Sequence, residues 1–119
     1  MERAHLRLSV TRGEAETVVV LAGELDVSTV GQLSDAVTVE LAEQPSQIVL
    51  DIADLTFCDS LGLGTLVVLN RAAQAQRSRL TLRNPTTFFT RMLEVTGLEA
   101  GLTVSDGQSA ASGSRPEAP

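Results

Sequence analysis

The stretch QIVLDIADLTFCDSLGLG, from Gln47 to Gly64, decides the fold because it joins a strand to the start of a helix. Its first six residues, QIVLDI, form an apolar run of the kind found in buried strands. A short link then leads to CDS at 58–60, where we predict a helix that runs to about Gln76. A strand followed directly by a helix indicates one unit of an α/β fold.

Strand and helix patterns continue on both sides of this stretch. The alternation of Leu6, Leu8 and Val10 predicts a strand, and the β-branched run TVVVLA at 17–22 predicts a second one that pairs with it. GELD at 23–26 is interpreted as a loop. A helix follows to about residue 43, capped by Asp26 or Ser28. The remaining predicted elements are a strand at 79–83, a helix at 86–95 and a short strand at 102–104.

The predicted order is β-β-α-β-α-β-α-β, which indicates an α/β fold with a small mixed sheet and helices packed on it. A length of 119 residues leaves room for one hydrophobic core, so we expect a single domain over residues 1–104. Residues 105–119, SDGQSAASGSRPEAP, contain no large apolar side chain and are predicted to form a flexible tail.

Composition and charge exclude several classes of function. The net charge is −6, and all nine basic residues are Arg, so the chain lacks the basic surface that nucleic acid requires. With a single histidine, His5, and a single cysteine, Cys58, no metal site or catalytic triad is expected, and no cofactor is predicted. The polar N-terminus and the lack of a 20-residue apolar run predict no membrane insertion and a cytoplasmic location.

The segment CDSLGLG at 58–64 carries the functional signal, and two enzymatic interpretations of it fail. The dinucleotide fingerprint G-x-G-x-x-G is incomplete, because Val67 stands where the third glycine belongs. The nucleophile elbow G-x-S-x-G has Cys58 in place of its first glycine, and no histidine is suitably placed.

Ser60 is predicted to cap the helix that begins there, which is a structural role. The run LGLGTLVVLN that follows, residues 61–70, has no charged residue, so part of this helix surface is a candidate contact for a partner. A phosphate on Ser60 would be tolerated by the helix N-terminus, yet beside Asp59 it would repel a partner that needs a dry contact. This combination predicts a binding switch that leaves the fold intact.

At these residues the sequence resembles the bacterial anti-sigma-factor antagonists of the STAS superfamily. The resemblance rests on GELD at 23–26, the strand QIVLDI, the link DLTF at 54–57 and DS-x-GLG at 59–64, and it covers residues 6–104. It implies a protein-binding module, not an enzyme, whose unphosphorylated form binds an anti-sigma factor and thereby frees a sigma factor. That partner is usually a serine kinase, and a serine phosphatase resets the switch.

The resemblance also implies roles for individual residues. It makes Ser60 the phosphorylated residue, with Asp26 and Asp59 as its acidic surroundings. The first turn of the following helix matches the partner-binding surface, which comprises Leu61, Gly62, Leu63, Gly64 and Thr65. Leu61 departs from the family, in which Ser or Thr is frequent at that position.

Alternatives stay open at this point. Asp26 could be only a helix cap, and a non-switching STAS subunit that supports a lipid-transport ATPase would use Ser60 as a cap alone. A small enzyme or nucleotide-binding protein is disfavoured by the absence of Lys and the broken glycine pattern. Cys58 is predicted to be buried, with a stabilised thiolate at the helix start as the competing hypothesis. Three further side chains are expected in the core, and three arginines on a solvated surface: Phe88, Phe89 and Met92, and Arg71, Arg77 and Arg79.

Overall fold

The computed structural model describes residues 5–105, which form a five-stranded sheet with three α-helices. The strands lie side by side in chain order, and β1 is antiparallel to β2 while the others run parallel. The predicted α/β architecture and order of elements are therefore confirmed. The bounds are β1 Leu6–Arg12, β2 Glu16–Leu25, α1 Val30–Leu41, β3 Gln47–Cys58, α2 Ser60–Ala75, β4 Arg79–Arg83, α3 Thr87–Thr96, a 3-10 turn at Glu99–Gly101, and β5 Val104–Ser105.

The three helices cover one face of the sheet. Crossover connections between parallel strands are right-handed. Because each strand from β2 to β5 is added next to the one before it in the same direction, every connecting helix lies on the same face. On this side, Leu6 of β1 and Val19 and Leu21 of β2 are buried, whereas Arg7, Ser9 and Thr11 on the opposite side of β1 are exposed. None of the helices within residues 5–105 is long and apolar enough to span a membrane. The centre of the core comprises Val19, Leu21, Ile48, Leu50, Ile52, Leu63, Leu66, Leu80, Leu82 and Phe89.

The segments predicted as the GELD loop and the link after QIVLDI are strand in the structure. β2 continues to Leu25 and β3 continues to Cys58, and the two remain paired with register shifts on either side of Ala22 and Gly23. Gly23 has a positive φ of 123°, and a Cβ there would overlap the His5 carbonyl. The predictions were wrong because these irregularities remove the regular alternation that identifies a strand.

The start of α1 also differs from the prediction, because neither Asp26 nor Ser28 caps it. The N-cap position is Thr29, whose side chain makes no capping hydrogen bond. Its buried hydroxyl instead donates to the Glu24 carbonyl oxygen at 2.8 Å. Asp26 Oδ1 accepts hydrogen bonds from the backbone N–H of Ser28 at 2.9 Å and from its hydroxyl at 2.8 Å. These contacts form a compact turn between β2 and the helix.

The third helix divides its two phenylalanines. Phe89 is buried in the core as predicted, but Phe88 is 48% exposed and Met92 is only half-buried, so the prediction that all three lie in the core was wrong for Phe88. A helix turns 100° per residue, and α3 packs on the sheet along a narrow face formed by Phe89 and Leu93, so Phe88 is rotated towards solvent. The three arginines predicted on a solvated surface are exposed. The last strand includes Ser105, and the rest of the predicted tail lies outside the described residues.

Candidate functional site

The parallel strands β2 and β3 end side by side, and this arrangement brings the predicted acidic residues together. Leu25 pairs with Cys58 at the carboxyl end of the two strands, and Asp26 and Asp59 are the next residues of each chain segment. The Asp59 N–H donates to the Leu25 carbonyl oxygen at 3.2 Å. Ser60 therefore begins α2 where both acidic residues leave the sheet.

Asp59, not Ser60, is the N-cap of α2. Its backbone is extended, with φ −95° and ψ −176°, and its Oδ1 accepts a hydrogen bond of 2.8 Å from the Gly62 N–H. Ser60 is the first helical residue, so the prediction that it caps the helix was wrong. Asp and Ser are comparable caps, and the residue that keeps the extended backbone takes the role. The hydroxyl of Ser60 is consequently left out of the capping contact.

The Ser60 side chain is exposed, and within residues 5–105 its hydroxyl has no hydrogen-bond partner. Its neighbour Asp59 is half-buried and held by the cap. An exposed hydroxyl at the first helical position is accessible to a modifying enzyme. The unsatisfied N–H groups and partial positive charge of a helix N-terminus also favour an added anion there.

The predicted partner-binding residues fall into two groups, of which the first lies inside the protein. Leu63 is fully buried, and Gly62 packs so closely against β2 that a Cβ on it would lie 2.6 Å from the Leu25 carbonyl oxygen and 3.1 Å from Cys58 Sγ. These two residues anchor the first turn of α2 on the sheet. They present no side chain to a partner.

The second group points outward along α2. Leu61 is 48% exposed, Gly64 and Thr65 are partly exposed, and a Cβ on Gly64 would have nothing within 4 Å. The Thr65 hydroxyl donates to the Leu61 carbonyl oxygen at 2.9 Å, so it is satisfied within the helix. Val68, one turn further, is 60% exposed. Together these residues form an uncharged stripe that starts beside Ser60.

Two more apolar side chains near Ser60 were not among the predicted site residues. Val27, which follows Asp26, is 72% exposed, and Phe57, two residues before Asp59, is 43% exposed. Their signal in the sequence was position, since Val27 directly follows Asp26 and Phe57 lies two residues before Asp59. We define the Ser60 surface as Ser60 with its outward-facing neighbours Val27, Phe57, Leu61, Gly64, Thr65 and Val68.

Cys58 lies beneath this surface and is 1% exposed, which confirms the prediction of a small buried residue. Burial raises the pKa of its thiol to about 12, and the nearby charge of Asp59 adds to the shift. The competing hypothesis of a stabilised thiolate is therefore wrong. Among residues 5–105, no cluster of three or more His, Cys, Asp or Glu side chains is arranged to hold a metal ion.

The fold agrees with comparisons to known proteins. A family model described as "Mlab, STAS domain" matches residues 8–104. The chain is 30% identical over 101 residues to the anti-sigma-B factor antagonist of Bacillus subtilis, across 85% of this chain and 92% of that protein. The chain belongs to the STAS-domain anti-sigma-factor antagonist family.

Solved structures show the same fold at lower identity. SpoIIAA, an anti-sigma factor antagonist, has a TM-score of 0.72 in its unphosphorylated form, with 22% identity over 95% of this chain and 100% of that one. The phosphorylated form of the Bacillus protein has a TM-score of 0.65, with 23% identity over 93% of this chain and 100% of that one.

Proposed function

We propose that this protein is a non-enzymatic anti-sigma-factor antagonist whose binding is switched off by phosphorylation of Ser60. The observation that carries the proposal is the exposed hydroxyl of Ser60 at the first position of α2, beside the exposed apolar side chains of Phe57 and Leu61. One surface thus combines a hydroxyl that can be phosphorylated with an apolar contact area to which a partner could not bind once a charge is added. A relative named as an anti-sigma-B factor antagonist supports the choice of partner.

The fold tolerates a phosphate at this position for electrostatic reasons. A phosphoserine carries a charge of about −1.5 to −2 at neutral pH, and the N-terminus of a helix stabilises such a charge by roughly 0.3–1 kcal/mol. Asp59 opposes it, but its Oδ1 is engaged by the Gly62 N–H, which keeps the capping contact intact. SpoIIAA, whose fold this chain shares, has been solved both with and without phosphate, and this supports a phosphorylated form that keeps the fold.

The same charge prevents a partner from docking. Contact with the Ser60 surface must remove water from Val27, Leu61 and Val68, all of which are exposed in the free protein. A phosphate inside that contact would have to give up its hydration next to two carboxylates. Desolvating an uncompensated charge costs several kcal/mol, which is enough to abolish a micromolar interaction.

The proposed cycle takes place in the cytoplasm and needs two partners. A serine kinase that is itself the anti-sigma factor binds the unphosphorylated chain, releases its sigma factor and phosphorylates Ser60. A serine phosphatase removes the phosphate and restores binding. The chain contributes a surface and a hydroxyl to this cycle and carries out no chemistry of its own.

The test is a comparative pull-down from native lysate with wild type, Ser60→Ala and Ser60→Asp as baits, followed by mass spectrometry. We expect a serine kinase to be retained by wild type and by Ser60→Ala and to be lost from Ser60→Asp. Thr87→Asp is the matched control, because Thr87 is the exposed first residue of α3 and stands at the same helical position as Ser60. Retention of the kinase by this variant shows that the location of the charge matters.

Equal retention of one partner by wild type and Ser60→Asp would refute the switch. If that partner were a transport ATPase, the chain would be a non-switching STAS subunit in which Ser60 is only the first residue of a helix. The departure from the family at Leu61 is the sequence feature that favours this alternative. Far-UV circular dichroism of each bait establishes that a lost interaction does not come from unfolding.

A further inference from the structure

A polar cleft of about 590 Å³ lies at the opposite end of α2 from Ser60. It is formed where the C-terminus of α2, the amino ends of β3 and β4, and the segment before β5 meet. Its lining residues Asn70 and Gln74 stand 10 and 14 residues after Ser60 on α2, about 15 and 21 Å away along the helix. The lining residues are Ser46, Gln47, Asn70, Gln74, Arg77, Ser78, Arg79, Leu80 and Thr103.

The charge of the cleft contrasts with that of the chain. The chain carries a net charge of −6, yet the lining includes Arg77 and Arg79 and, among the described residues, no acidic side chain. Within residues 5–105 neither arginine forms a salt bridge, in contrast to Arg12 and Arg83. The C-terminus of α2 contributes only about half a negative charge, so the two guanidinium groups dominate the local field.

Ser78 between the two arginines is a buried polar residue without a partner. It is 5% exposed, and its Oγ makes no hydrogen bond within the described part of the chain. A buried hydroxyl without a partner is costly and needs a reason. Ser78 lines the cleft, and although its Oγ is covered in the observed conformation, rotation of the side chain would bring the hydroxyl to a ligand oxygen bound there.

The backbone at Arg77 is also unusual. α2 ends in a Schellman motif, with the Ser78 N–H bonded to the Ala73 carbonyl oxygen at 2.9 Å and the Arg77 N–H bonded to that of Gln74 at 3.0 Å. Arg77 occupies the left-handed position of this motif, with φ +62°, where glycine is the usual residue. An arginine there places a guanidinium beside the cleft at the expense of backbone strain.

We infer that this cleft binds a small polar molecule through a phosphate group. Two unpaired guanidinium groups suit the phosphate, since arginine binds phosphate oxygens with paired, charge-assisted hydrogen bonds. The amides and hydroxyls of Gln47, Gln74 and Thr103 suit the hydroxyl groups of the rest of the ligand. Among the described residues that line the cleft, none is an aromatic on which a nucleobase could stack, which favours a sugar phosphate over a nucleotide.

The test is an NMR titration of the full chain in which the backbone amide signals are followed. Inorganic phosphate, glucose 6-phosphate and glucose are the three probes. We expect saturable shifts at Ser46, Ser78 and Thr103 with glucose 6-phosphate and none with glucose. Equal affinity for inorganic phosphate would mean that the phosphate alone is recognised, and weaker affinity would mean that the hydroxyls contribute. Either outcome supports the site.

Two variants connect binding to the arginines. Arg77→Gly suits the left-handed backbone and therefore preserves the turn, and Arg79→Gln changes an exposed side chain at the start of β4. We expect each to lower the affinity for glucose 6-phosphate about tenfold or more. Arg7→Gln, an exposed arginine on β1 outside the cleft, is the charge-matched control and should bind as wild type does.

The inference is overturned if neither phosphate produces a saturable shift at these amides, or if Arg77→Gly and Arg79→Gln both bind as tightly as wild type. An equal loss of affinity in Arg7→Gln would also overturn it, because binding would then follow net charge and not the cleft. None of these outcomes depends on the proposed switch at Ser60.

Discussion

Replacing Gly62 and Gly64 separately by alanine should change stability in opposite directions, although the two glycines lie two residues apart on one helix. A Cβ at Gly62 would lie 2.6 Å from the Leu25 carbonyl oxygen and 3.0 Å from Leu25 Cγ. The nearest atom belongs to the backbone of β2, so it cannot rotate away. At Gly64 the same Cβ would meet nothing within 4 Å.

The magnitudes follow from two opposing contributions. Alanine in place of a helical glycine stabilises a helix by about 0.5–1 kcal/mol, and Gly64→Ala should gain that amount. Gly62→Ala gains as much but also overpacks the contact with β2, which costs about 1–3 kcal/mol. We therefore expect a net loss for Gly62→Ala of up to about 2 kcal/mol, and a difference of about 1–3 kcal/mol between the two variants.

Urea unfolding followed by far-UV circular dichroism measures this difference, because the chain contains no Trp or Tyr to serve as a fluorescent probe. In thermal unfolding, each kcal/mol corresponds to a shift in Tm of about 4–8 °C for a domain of this size. If Gly62→Ala were as stable as Gly64→Ala, the close contact between α2 and β2 would not exist as described. That contact would then not be what anchors the first turn of α2, on which Ser60 lies.

Three further predictions concern the same region. Unfolded Cys58 loses its proton near its ordinary pKa of 9.0 and the folded thiol near about 12, so its contribution to stability is complete below pH 9 and falls as the pH rises. Because the chain has no Lys or Tyr, Cys58 is the side chain that titrates in this pH range. Urea unfolding at pH 10.5 should therefore show a loss of about 1–2 kcal/mol in the free energy of unfolding of wild type that is absent in Cys58→Ala. An equal loss in both proteins would contradict the raised pKa. Asp59→Ala should lower the free energy of unfolding in urea by about 1 kcal/mol. Asp59→Asn should lower it by much less, because asparagine can still accept the hydrogen bond from the Gly62 N–H. Equal losses in the two variants would argue against the cap. Phe57→Ser and Leu61→Ser each expose part of a half-buried side chain and should cost about 1–2 kcal/mol in urea unfolding while leaving the protein folded. Both should retain less kinase in the pull-down, and unchanged retention would remove them from the partner surface.

The sequence predicted the architecture because the apolar patterns of the individual elements are strong. QIVLDI is an apolar strand pattern, and the uncharged run at 61–70 follows the helix-start signal at 58–60, which indicates a helix packed largely on the sheet. Asp26 and Asp59 were assigned to the site through the resemblance of GELD and DS-x-GLG to the family, and the structure adds that both follow the carboxyl ends of the parallel strands β2 and β3. The architecture itself needed only the local sequence and the order of elements.

Other features depend on contacts between distant segments, which no local pattern contains. Asp59 and Ser60 are equally good caps by residue type, and the hydrogen bond from the Asp59 N–H to Leu25 helps to hold Asp59 in the extended position. Gly62 and Gly64 look alike in the sequence, but only one faces the carbonyl of β2. Thr29 takes the N-cap position in place of the predicted Asp26 or Ser28, and its hydroxyl bonds to Glu24. That contact exists only because β2 extends to Leu25, which the sequence did not predict.

The antiparallel pairing of β1 has a practical consequence for any binding experiment. His5 donates from its backbone N–H to Glu24 Oε1 at 3.1 Å, two residues before Asp26, so the amino end of β1 lies at the same end of the sheet as the Ser60 surface. The turn after β1 lies about 24 Å away, at the other end of seven paired residues. Because Cys58 is buried and its thiol stays protonated, Glu14→Cys in that exposed turn would give a single reactive site for immobilisation, with the binding surface facing solution.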